Sequence, residues 1–132
     1  MVTKRPLPDD LAQFRDTYAE MFGSVPPLPA AKFEFSGEVD PEALRLVEQL
    51  RAHAFYNVTF DEKTTQLLIF AMLLAKGSAS AKHQAIAARR AGATWRELHS
   101  VIEMGAAVAA LGAFNEGSAL LHDIRSGDTS DE

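Results

Sequence analysis

The sequence predicts an all-α fold, and three observations carry that reading. Apolar residues recur every three or four positions, helix-start signals precede the apolar stretches, and no two segments form a convincing strand pair. At 132 residues the chain is long enough for one domain with one substantial core. About six helices are expected. The organisation read from the chain is an N-terminal helix and extended Pro-rich arm over residues 1–39, a helical domain over 40–125, and a disordered acidic tail over 126–132.

The first helix starts near Pro8 and Asp9, carries Leu11, Phe14, Tyr18, Met21 and Phe22 at helical spacing, and ends at Gly23. Pro26, Pro27 and Pro29 then argue against helix, because proline lacks the N–H and restrains its predecessor. Lys32-Phe33-Glu34-Phe35 alternates, which suggests an extended arm whose two phenylalanines are buried against something, such as a neighbouring subunit. The second helix opens with Asp40 as cap and Pro41 in the first turn. It presents Leu44, Val47, Leu50, Arg51 and Ala54, running towards Tyr56.

Asp61 opens the third helix, and Glu62 suits the positive end of its dipole. Residues 67–75 are apolar all round, as in a buried central helix, with Gly77 as terminator. A fourth helix starts at Ser78 or Ser80 and ends at Gly92. Thr94 and Glu97 then form a capping box for a fifth. Small residues over 105–113 let another helix backbone approach closely, and a last helix covers about 114–125 with Leu120, Leu121 and Ile124.

Composition narrows the function classes. A composition 47% hydrophobic and 23% charged is that of a soluble globular protein. A net charge of -5 with scattered basic residues argues against nucleic-acid binding. The longest apolar run, 67–75, falls far short of the ~20 residues of a membrane span, so no membrane partner is expected. The first ten residues hold no apolar core of a signal peptide, which leaves a cytoplasmic location as the expectation. No cysteine is present, which excludes disulfides, thiol nucleophiles, zinc-thiolate and iron–sulfur sites.

Residues 60–112 contain an ordered set of parts: Phe60-Asp61-Glu62, the apolar stretch 67–75, Gly77-Ser78-Ala79-Ser80, His83, Ala91-Gly92-Ala93-Thr94, Glu97-Leu98, and small residues ending at Gly112. In that order they resemble the carboxymuconolactone decarboxylase family, within the alkylhydroperoxidase D-like superfamily. The resemblance implies that superfamily's helical bundle, homo-oligomers such as trimers or hexamers, and a functional histidine at His83. Three departures stand out. The C-x-x-C of the peroxidase branch is replaced by Ser78-Ala79-Ser80-Ala81, and serine cannot enter a thiol–disulfide cycle. Gln66 stands where a glutamate is often found. His83 lies nine residues before Gly92, where eight are expected.

The resemblance implies a cofactor-independent decarboxylation of a small carboxylated lactone or oxo acid. Such a reaction needs stabilisation of a dienolate and then a proton donor, and His83 near a helix start suits the proton step. The other reading of His83 is a capping or core histidine held by hydrogen bonds. His99 and Glu103, four apart on one helix face, are candidates for an acid/base couple or for orienting His83; a surface salt bridge is the alternative. His53 and His122 read as a helix-end and a solvated histidine. No H-x-x-x-H pair and no phosphate loop occur, so neither a metal nor a nucleotide cofactor is expected. Ser78 and Ser80 read as N-caps, and Trp95 as a core or interface residue. A second function remains open: a non-catalytic family member that binds a small ligand or acts as an oligomeric scaffold.

Overall fold

A computed structural model describes residues 6–56 and 59–128. Among them the chain is wholly helical, with α1 Asp9–Phe22, α2 Pro27–Val39, α3 Pro41–Phe55, α4 Glu62–Ala75, α5 Ala81–Arg90 and α6 Trp95–Gly127. Residues 1–5 and most of the acidic tail, 129–132, lie outside the described residues, while Ser126 and Gly127 close α6.

Six helices are present among the described residues, though not the six that the sequence predicts. The segment read as an extended arm is α2. Pro27 is its first residue and Pro29 its third, where backbone N–H groups have no intrahelical acceptor, so proline forfeits nothing. As a helix, the segment turns its two phenylalanines apart. Phe33 is buried in the chain's own core, edge-on to Tyr18 with ring centres 5.5 Å apart, while Phe35 is exposed. Conversely, the fifth and last predicted helices are one continuous α6 of 33 residues. Interior glycines at 105 and 112 each cost about 1 kcal/mol of helix propensity, but the alanines between them are the best helix formers and carry the helix through.

Several local signals act as read. Asp40 accepts from the Ala43 N–H at 3.1 Å and Asp61 from the Thr64 N–H at 2.7 Å. The Thr94–Glu97 box closes reciprocally at 3.0 and 2.9 Å. Gly77 ends the α4 segment at φ 70°, a left-handed conformation that L side chains rarely adopt. Ser80 holds the N-cap position of α5 without a side-chain cap bond, and Ser78 Oγ instead accepts from the Ser80 N–H at 3.2 Å.

Two hydrophobic clusters organise the molecule. Leu11, Tyr18, Phe33 and Leu44 join α1, α2 and α3. Phe70, Ala81, Ala88, Ala93, Leu98 and Val101 join α4, α5 and the start of α6. The halves meet where α1 lies on α5: Phe22 touches the His83 ring, and Arg90 Nη2 donates to the Glu20 carbonyl at 3.1 Å. The apolar stretch 67–75 of α4 is only partly enclosed by the described residues, since Leu68, Met72 and Leu74 remain exposed.

Candidate functional site

His83 occupies the first turn of α5 at the junction of the two halves. Its ring is half-buried, with Phe22 edge-on at 6.5 Å between centres. Among the described residues it makes no hydrogen bond or ion pair. Its nitrogens are therefore not committed to the fold, unlike those of a hydrogen-bonded core histidine.

The residue beside it is committed. Gln84 is buried, and its Nε2 donates to Oε1 of the equally buried Gln66 on α4. Gln84, not His83, is the residue eight positions before Gly92. The position expected of the histidine and that expected of the glutamate thus hold two amides bonded to each other. Two amides satisfy one another without charge, which makes them a low-cost way to fill a buried polar contact. They do not exchange protons at neutral pH. The nine-residue spacing was the signal that pointed to Gln84.

The proposed helpers are placed elsewhere. His99 Nδ1 and Glu103 Oε1 are 2.8 Å apart, on one face of α6 as their spacing requires, but both side chains are exposed and neither bonds to His83. His122 and Asp123 form a loose exposed pair at 4.0 Å, and His53 is exposed in the last turn of α3. Trp95 is exposed, with the Arg89 guanidinium 4.4 Å from its ring centre. No group of three or more histidine and carboxylate side chains gathers at metal-binding spacing among the described residues.

A second polar constellation was not read from the sequence. Glu48 on α3 is completely buried. Its Oε1 accepts from the Tyr18 hydroxyl at 2.7 Å and pairs with Lys32 Nζ, which also donates to the Tyr18 oxygen at 2.6 Å. Arg51 lies over the Tyr18 ring, its Cζ 3.6 Å from the ring centre, donates to Thr17 Oγ1 at 3.0 Å, and brings Nη1 to 3.7 Å from Glu48 Oε2. That oxygen has no hydrogen bond among the described residues. Burial, first, and the bond to Glu48, second, push the Tyr18 hydroxyl well above its ordinary value near 10. The sequence signal was present: Leu44, Glu48 and Arg51 are spaced i, i+4, i+7, and a carboxylate in such a stripe requires partners. The stripe that faces the core is Leu44–Glu48–Arg51, which leaves Val47 and Leu50 exposed.

Two surface depressions lie away from His83. One runs along the exposed side of α6, lined by Ser118, Ala119, Leu121, His122 and Arg125. The other, about 170 Å³, lies between α2 and α3. Neither lining includes His83.

Comparisons with curated proteins and with solved structures find no match. A family model does match, over residues 41–123, from the first residue of α3 deep into α6. This span takes in Gln66, His83, Gln84 and Glu48. With well over half of its residues so matched, the chain belongs to the carboxymuconolactone decarboxylase family.

Proposed function

We propose that this chain is a thiol-independent lyase of its family, acting on a small carboxylated lactone or oxo acid without a cofactor. His83 is its acid/base group. The observation that carries the reading is the state of the His83 ring: half-buried, beside an aromatic wall and without a hydrogen-bond or ion-pair partner among the described residues. In the reaction, the bond between the substrate carbon and its carboxylate breaks and carbon dioxide leaves. The electron pair passes into a dienolate, and imidazolium at His83 returns a proton to carbon. With His99 and Glu103 exposed and paired to each other, His83 acts without them in this account. The reading includes assembly as a homo-oligomer, which would supply the walls that a single chain lacks around His83.

The test is His83→Ala, assayed for carbon dioxide release over a panel of carboxylated lactones and oxo acids. Loss of one acid/base group removes about 10²–10⁴-fold of the rate, with little change in melting temperature. A variant as active as the parent would remove His83 from the mechanism.

The Gln66–Gln84 bond favours a second reading, a non-catalytic member that binds a small ligand or serves as a scaffold. A buried pair of neutral amides supports packing and ligand hydrogen bonding, not proton relay. Under this reading no compound of the panel is consumed by the parent protein, yet carboxylates bind saturably in calorimetry.

A further inference from the structure

Every residue from 106 to 128 is exposed, and Val108, Leu111, Phe114, Leu120, Leu121 and Ile124 are among the largest apolar side chains left uncovered. The part of α6 from 106 to 127 extends about 33 Å at 1.5 Å per residue and is covered by no other helix among the described residues. Most helical stability in proteins comes from packing an apolar face, and this face has no packing partner among the described residues. The whole chain exposes 9649 Å², against about 6,800 Å² for a compact monomer of 14.4 kDa. The excess, about 2,800 Å² per chain, is on the scale that permanent interfaces bury.

A second uncovered surface lies in the other half of the molecule. The groove between α2 and α3 is walled by Phe35, Val39, Ala43, Leu44 and Val47, with Lys32 at its edge. Phe35, Val39 and Val47 are more than half exposed. A groove between two packed helices can receive the side-chain ridge of a third. Ser36 and Asp40 complete the lining, so the groove carries one cation and one carboxylate and is otherwise mainly apolar.

We propose that the α6 arm of one copy seats in the α2/α3 groove of a second copy. The occupant is a second copy because one chain carries both the unsupported helix and the open groove, and exchange covers both at once. This inference rests on the homo-oligomer reading above and specifies its contact.

The absence of native cysteine makes the test clean. Val47→Cys is co-expressed, under a different tag, with each of Val108→Cys, Leu111→Cys, Phe114→Cys and Leu121→Cys, and the mixtures are oxidised. A disulfide needs Cα atoms within about 7 Å, so covalent heterodimers should form at one or two arm positions and not at all four. Phe114→Asp, an exposed substitution that leaves the monomer core intact, should shift the parent's light-scattering mass towards the monomer. Oligomers that persist with no cross-link at any position would overturn the arm–groove contact and leave the homo-oligomer reading standing. A monomeric parent would overturn both. So would a parent whose arm inserts into phosphatidylcholine vesicles instead, a route open on length and composition because α6 contains an 18-residue window apolar enough to cross a membrane.

Discussion

At the scale of single residues, the polar side chains inside this molecule fall into two kinds. Gln66 and Gln84 are neutral and satisfy each other. Glu48 is charged, completely buried, and depends on Tyr18, Lys32 and Arg51. Removing one partner of a buried ion pair costs about 3–5 kcal/mol, because the remaining charges stay buried and unpaired. Glu48→Ala should therefore lower stability by about that much in denaturant unfolding, whereas Glu103→Ala, whose partner is solvated, should change it by less than about 1 kcal/mol. Tyr18 gives a pH signature. Its hydroxyl titrates higher in the folded chain than in the unfolded one, so its contribution is complete below pH 10 and is lost as pH rises above it. Tyr18→Phe should be less stable than the parent at neutral pH, and its stability should fall less steeply above pH 10. A parallel alkaline decline in both proteins would contradict the assignment.

At the scale of elements, the caps were the most legible part of the sequence. Asp40, Asp61 and Thr94 act through bonds to N–H groups three residues away, and such short-range chemistry depends little on the rest of the fold. Thr94→Ala should cost about 1 kcal/mol. The N–H groups of Thr64 and Thr94 hold the Asp61 and Glu97 carboxyls below their usual range, and Lys63 adds to the effect at Glu97. Their contribution is present above the ordinary carboxylate range and lost as pH falls through it. What the sequence did not reveal depended on position within an element or on distant packing. Proline forbids a helix interior but suits a first turn, and only knowledge of where α2 begins separates the cases. The break expected near Gly112 failed because the surrounding alanines outweigh one glycine. The histidine was legible as a residue and its environment was not. One position of helix rotation decides whether His83 or Gln84 faces α4, and only the structure resolves it. The glycines of α6 supply a test at this scale. A Cβ added at Gly105 or Gly112 meets nothing within the chain. Gly112→Ala should raise the stability of an unpartnered helix by about 1 kcal/mol, and lower it where a second chain packs closely on that face.

At the scale of the whole molecule, two small cores are joined at a junction that places His83 against Phe22, and a helix extends beyond both with no support from its own chain. The family match extends from the Glu48 half through the junction and into the unsupported helix, so the matched span is not one compact body. A single chain therefore offers the His83 imidazole with one aromatic wall and an open side. In the proposed account a second chain closes that side and covers the arm. Chemistry without thiols then rests on one imidazole. The most direct test is the imidazole region of the ¹⁵N-resolved NMR spectrum, where four histidines report separately and His83→Gln assigns one of them. On titration with a carboxylated lactone, the account predicts a saturable shift of the His83 resonances while His53, His99 and His122 stay in place. A titration that leaves His83 unmoved, or moves another histidine in its stead, would contradict it.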